Sequence, residues 1–182
     1  MPSRIPQRPA AASGPNHPGI DAGLSAELAS VVSGARRRAL RDGDRQIDTA
    51  HLLHSLLESD PEVRAVFDGG PQVARLLGYL VQRSIGYGLR WQSAVEDSGA
   101  GPVVAGGRWS PMAAGAMEEA YERAMVRGDE RARGLDMLAA LVADPRSRAV
   151  EVLGRAGVEL PPLLERIESG CAECVSGGDA GC

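Results

Sequence analysis

Two stretches of this chain repeat one another at a constant spacing of 85 residues, and that repetition limits the possible folds more than any other feature. Leu24-Ser25 falls on Trp109-Ser110, Ala35 on Ala120, Ala39 on Ala124, Gly43-Asp44 on Gly128-Asp129, Leu53 on Leu138 and Leu56 on Leu141. After a slip of one residue, Asp60-Pro61 matches Asp144-Pro145 and Ala65-Val66 matches Ala149-Val150. Glycines and prolines coincide along with the helix formers. Chance matching of helical composition does not produce that, so the chain carries two copies of one unit.

Each copy reads as four helices. Ser25 is a cap for the first helix of copy one, and Ser110 followed by Pro111 starts the first helix of copy two. The hydroxyl accepts an orphan N–H there, and proline has none to lose. Leu28, Val31, Val32, Ala35, Ala39 and Leu40 keep helical spacing, as do Met117, Ala120, Ala124 and Met125. Gly43 and Gly128 stand where a left-handed C-cap is wanted. A short second helix is expected over Thr49–Glu58, capped by Asp48 or Thr49, and over Leu135–Ala143. Asp60-Pro61 and Asp144-Pro145 are expected to start third helices ending near Phe67 and Ala156. Fourth helices are expected over Pro71–Ile85 and Pro161–Ile167. Aromatic residues are only 3% of the chain, so the core is aliphatic, which favours helices over a β-sandwich.

The boundaries follow. Residues 1–23 form a Pro/Ala/Ser/Gly leader expected to be disordered, 24–85 the first repeat, and 86–107 a Gly-rich flexible linker. Residues 108–169 form the second repeat and 170–182 a flexible tail carrying the cysteines. No apolar run approaches the roughly 18 residues a spanning helix needs, and the leader lacks the apolar core of a secretory signal. A cytoplasmic protein is the expectation.

Charge and side-chain chemistry narrow the function classes. The net charge is −4, so no overall attraction to polyanions exists. All 20 basic residues are arginine, which removes Schiff-base chemistry and any P-loop lysine from these residues. Arg36, Arg37, Arg38, Arg41 and Arg45 fan around the first helix and read as a solvated face, not a nucleic-acid surface. Cys171, Cys174 and Cys182 are weak candidate metal ligands, because a tetrahedral site wants a fourth donor; the expectation is no metal and no cofactor. His51 lacks a nucleophile and orienting acid in any recognisable set and reads as structural. His54 is expected on the surface, and His17 lies in the leader.

Gln46-Ile47-Asp48-Thr49-Ala50-His51-Leu52-Leu53 resembles the Ile-Gly-Thr-Glu-His-Leu-Leu signature of Clp N-terminal domains (Clp repeats), the helical modules at the front of ClpA, ClpB and ClpC unfoldases. The resemblance implies an all-α, eight-helix bundle of two tandem four-helix repeats with pseudo-two-fold symmetry. It implies a non-catalytic module that docks a protein or peptide segment, with a Clp adaptor or a cyclic peptide as candidate partners. An accessory or decoy of a Clp protease system fits that role. The alternative is a regulator or scaffold that binds an unrelated partner through its tails.

In ClpC-like members the Glu after Thr in each repeat helps bind phosphoarginine; Ala50 and Leu135 stand there in this chain, which points away from that ligand. An aromatic at the position of Trp109 borders the docking patch of ClpC-like members, and Trp109 either plays that part or staples the linker onto the bundle. The candidate partner-binding residues are Leu24, Ser25, Trp109, Ser110, Asp48 and Thr49.

Overall fold

A computed structural model describes residues 23–84, 96 and 109–176. Residues 1–22 of the expected leader, nearly all of the linker, Ile85, Cys182 and the Cys174 side chain lie outside the described residues. The described chain is all-α. In the first repeat α1 spans Ala26–Asp42, α2 Thr49–Ser59, α3 Pro61–Ala65 and α4 Gly69–Ser84. The second repeat holds α5 Pro111–Arg127, α6 Gly134–Ala143, α7 Arg148–Arg155 and α8 Leu160–Ser176.

Helices α2 and α6 form the centre and are buried around their whole circumference, rich in Leu and Ala but with Thr49, His51, His54, Ser55 and Asp136 enclosed as well. Every residue of α2 from Thr49 to Leu57 is buried, as is every residue of α6 from Gly134 to Val142. The amphipathic α1 and α5 each lay one stripe on this centre, with Leu28, Val31, Val32, Ala35 and Ala39 buried on α1. Both end at a glycine in the left-handed region, Gly43 at φ 72° and Gly128 at φ 90°. There the glycine N–H groups reach back to carbonyls of the last turn.

The two repeats interlock instead of standing side by side. The segment leading into α1 pairs with the segment leading into α6, through a parallel bridge between Leu24 and Ala132. The segment leading into α5 pairs with that leading into α2, through a parallel bridge between Ile47 and Trp109. Ser25 N–H donates to the Ala132 carbonyl at 2.9 Å, and Ser110 N–H to the Ile47 carbonyl at 2.8 Å. These equivalent crossings are the pseudo-two-fold relation in backbone terms.

Two expected boundaries differ from the structure. Pro145 opens a turn, not a helix: Asp144 accepts from Arg146 N–H and holds the Arg146 guanidinium, and α7 begins only after Ser147, whose hydroxyl accepts from Val150 N–H at 3.1 Å. In the first repeat Asp60 does cap α3 directly, accepting from Glu62 and Val63 N–H. The last helix does not stop at Ile167. It runs to Ser176, and Cys171 is buried against the core, so the flexible tail expected from residue 170 is helical as far as 176. Leu163, Ile167 and Cys171 lie at successive turns of one buried stripe, which carries α8 past the point where charged and small residues hid the period.

Candidate functional site

The sequence candidates separate into two equivalent seams. Asp48, Thr49, Trp109 and Ser110 come together where the α2 and α5 lead-ins cross, and Leu24 and Ser25 lie at the α1–α6 crossing. Most are buried: Leu24 is 5% exposed, Asp48 and Thr49 1% each, and Ser110 0%. Ser25 and Trp109 are half-buried.

At the first seam the starts of three helices converge on one carboxylate, that of Glu96, with α2 and α7 each offering a backbone amide and α5 its capping hydroxyl. It accepts from Thr49 N–H at 2.9 Å, from Arg148 N–H at 2.8 Å and from the Ser110 hydroxyl at 2.8 Å. It also accepts from the Thr49 hydroxyl, whose oxygen in turn receives Ala149 N–H at 3.1 Å. Orphan amides and the positive ends of helix dipoles favour a negative charge at such a place. Glu96 comes from the segment joining the repeats, and it is 5% exposed. Sequence reading missed it. Only its acidity marks it out, and nothing in its neighbours foretells a buried position.

The second seam answers with a different carboxylate. Asp60 sits at the start of α6, so close to Gly134 that a β-carbon at that position would overlap its Oδ2. Gly134 occupies the place that Thr49 holds in the first repeat. The missing side chain is what admits Asp60. Each crossing thus contains an acidic group supplied by the chain itself.

Beside the seams lies a pair of charged boxes with exchanged chemistry. In the first repeat His51 N–H donates to Asp48 Oδ1 at 3.0 Å, and Asp48 N–H donates to His51 Nδ1 at 3.1 Å, a capping box. His51 Nε2 lies 3.1 Å from Asp44 Oδ2. Asp48 also meets the Arg148 guanidinium at 2.6 Å. In the second repeat the corresponding positions hold Asp129, Arg133 and Asp136. Asp136 receives the Arg133 N–H at 2.9 Å, and Arg127 grips it with two bonds of 2.5 and 2.8 Å. Arg127 also reaches Asp129 at 2.8 Å. That contact holds the Asp129 carboxyl below its ordinary range, and the Asp136 bond pushes the Arg127 guanidinium further up.

Asp44, Asp48 and His51 offer donor atoms within 4.8 Å of one another, close enough to share a cation. Asp48 is already divided between the α2 cap and Arg148, and His51 lies between Asp48 and Asp44, so the group reads as a helix-start lock. The thiol of Cys171 is pushed up by burial, which opposes the thiolate a metal requires.

Trp109, half-buried like Ser25, is the large candidate side chain with part of its surface open to a partner. Its backbone is fixed by the Ile47 bridge, and the Arg36 guanidinium lies over its ring, 5.6 Å from the centroid. The positions matching the phosphoarginine-binding glutamates are both interior: Ala50 is 0% exposed and Leu135 4%. A β-carbon at Gly170 would stand 3.1 Å from the Leu135 side chain, so α8 lies directly over that position. His54, expected on the surface, is buried at 4% exposure because α2 turns no side to water.

No protein-family model matches the sequence, and no curated protein matches it as a relative. Solved structures do match. The N-terminal domain of the caseinolytic protease associated chaperone ClpD from Arabidopsis thaliana is 16% identical, with a TM-score of 0.58 over 82% of this chain and 95% of that one. The Hsp104 N-terminal domain from Candida albicans is 12% identical, with a TM-score of 0.59 over 79% and 88%. A structure from an investigation of a malarial protein secretion system is 13% identical, with a TM-score of 0.61 over 86% and 97%. The duplicated helices, their crossed lead-ins and these neighbours agree: the chain has the fold of the N-terminal domains of Clp/Hsp100 unfoldases.

Proposed function

We propose that this chain is a non-catalytic docking module that binds a protein or peptide segment beside Trp109, where the two repeats cross. The carrying observation is Trp109 itself, half-buried, with its backbone locked to Ile47 and one ring face covered by Arg36. A large, pre-positioned aromatic loses little freedom when a partner packs on it, which is how binding anchors work. Ser25 at the other crossing is the second half-buried candidate. Leu24, Asp48, Thr49 and Ser110 act behind these residues, by fixing the lead-ins that carry them.

This reading includes a role as accessory or decoy of a Clp protease system with a cytoplasmic site of action, which the shared fold supports. A Clp adaptor and a hydrophobic cyclic peptide are the first ligands to test. Phosphoarginine is disfavoured, because Ala50 and Leu135 offer no carboxylate to a guanidinium, and Glu96 and Asp60 already sit at the helix starts. No helix among the described residues is long and apolar enough to cross a membrane.

The test is an affinity pull-down from host lysate read by mass spectrometry, followed by titration of the captured partner against wild type and Trp109→Ala. The variant is expected to keep its helical circular dichroism and to bind at least tenfold more weakly. Removing residues 1–22 and 177–182, which leaves α8 whole, is expected to leave binding intact. Loss of binding on that truncation would move the function to the tails and favour the regulator or scaffold alternative. Full binding by Trp109→Ala would remove this reading.

A further inference from the structure

Helices α1 and α5 hold equivalent places in the two repeats, and their outward stripes carry opposite charge. On α1 the exposed stripe contains Arg37, Leu40 and Arg41, with Leu40 74% exposed. The equivalent stripe on α5 contains Glu118, Glu122, Met125 and Val126, with Met125 52% and Val126 90% exposed. In each case the residues fall within about 100° of helix circumference and form one continuous face. The cations of α5 do not alter its outward sign, because Arg123 pairs with Glu168 and Arg127 is half-buried against Asp136.

Each stripe combines exposed apolar side chains with charge, arginine on α1 and glutamate on α5, and that makes the two faces complementary. They lie on different repeats of one rigid chain, so the complement of each is found on another molecule. We propose that copies of this protein associate head to tail, with the α1 face of one seated on the α5 face of the next. A two-fold contact of α1 on α1 would set Arg37 and Arg41 against themselves, and α5 on α5 would oppose four carboxylates, so each contact joins α1 of one copy to α5 of another; repeated head to tail, it is heterologous. Each 17-residue helix offers a face of only about 25 by 10 Å. That area is smaller than that of stable protein contacts, so the association is weak and grows only at high concentration. A heterologous contact leaves an open face at each end, and species larger than dimers form as concentration rises.

Sedimentation velocity of the full chain tests this, with a thiol reductant present so that the cysteines do not contribute. Between about 10 µM and about 1 mM the weight-average mass is expected to rise, and less so at about 0.5 M salt than at about 0.05 M. The paired substitutions R37E/R41E and E118R/E122R, each checked for native circular dichroism, are expected to weaken self-association at least tenfold. Mixing the two variants is expected to restore association, because the acidic α5 of one then meets the basic α1 of the other. A wild type that stays monomeric at about 1 mM overturns the proposal, as does a mixture that stays monomeric.

Discussion

Asp48 and Arg148, 100 residues apart in sequence, meet at 2.6 Å and tie the start of α2 to the start of α7. The same aspartate caps α2 by accepting from His51 N–H, so its removal has two separate costs. Loss of a cap costs about 1 kcal/mol. Taking this contact away from Arg148, 12% exposed, costs about 1–3 kcal/mol more. Asp48→Ala is therefore expected to lower stability by about 2–4 kcal/mol in urea denaturation. Arg148→Met keeps the aliphatic stem and is expected to cost less. In the Arg148→Met background the Asp48→Ala penalty should shrink to roughly that of the cap alone. An unchanged penalty would mean that the ion pair carries no coupling.

Among the described residues Glu96 is the one group that touches the starts of α2, α5 and α7 together, through Thr49, Ser110 and Arg148. Glu96→Ala strands buried donors and is expected to cost about 1–3 kcal/mol. Stability alone does not locate the damage, so hydrogen exchange is the sharper measurement. The amides of Thr49 and Arg148 are expected to lose protection first, while the Asp60-bonded amides of Glu62 and Val63 keep theirs. Equal protection at Thr49 and Arg148 in both proteins would contradict the clamp.

Gly134 offers a test whose sign is informative. Glycine to alanine within a helix ordinarily stabilises by up to about 1 kcal/mol. Here the added methyl collides with the Asp60 carboxylate and lies 3.0 Å from Val63 Cγ2. Gly134→Ala is expected to destabilise by about 3 kcal/mol. Asp60→Ala alone is expected to cost about 1 kcal/mol as a lost cap of α3. Combined, the two should be less damaging than their sum, because the second removes the obstacle met by the first.

What the sequence disclosed is what repeats or has a period. The spacing of 85 residues places α1 on α5 and α2 on α6, and Ser25, Ser110, Gly43 and Gly128 cap as their residue types require. The seams were only half legible. Asp48, Thr49, Trp109 and Ser110 could be named from the signature, but Glu96, which bonds Thr49 and Ser110, comes from a segment with no periodicity, and the helical period that places Arg148 on α7 does not point to Asp48. Asp60 looked like an ordinary helix start before proline, and its second use at Gly134 depends on how the repeats cross. The α7 start was misplaced for a similar reason: the Asp-Pro pair repeats in sequence, but in the second copy Ser147 takes over the cap. α8 ran longer than expected because Cys171 reads as part of a tail until Leu163 and Ile167 are seen beneath it. Side chains that meet across the two repeats leave no local trace.

His54 makes the stability of this fold depend on pH over a definite window. Its ring is buried on α2 and faces Glu58 at 3.3 Å, with Arg38 and Arg41 nearby. Burial first, and then the Arg38 charge, lower its pKa from 6.5 to about 4, against the opposing pull of Glu58 and Asp42. The folded protein therefore holds this histidine neutral where the unfolded chain would protonate it. Its contribution is fully present above pH 6.5 and is lost as pH falls toward 4. Near pH 5 the loss amounts to about 2 kcal/mol. Asp129 and Asp144, held low by their arginine partners, lose their own contributions only as pH falls through the acid range below that window. Urea midpoints at pH 8 and pH 5 are expected to differ clearly for wild type and much less for His54→Gln. A variant as acid-sensitive as wild type would assign the loss to other groups. The substitution is informative because the equivalent position in the second repeat is Ala139, so no second histidine duplicates the effect there.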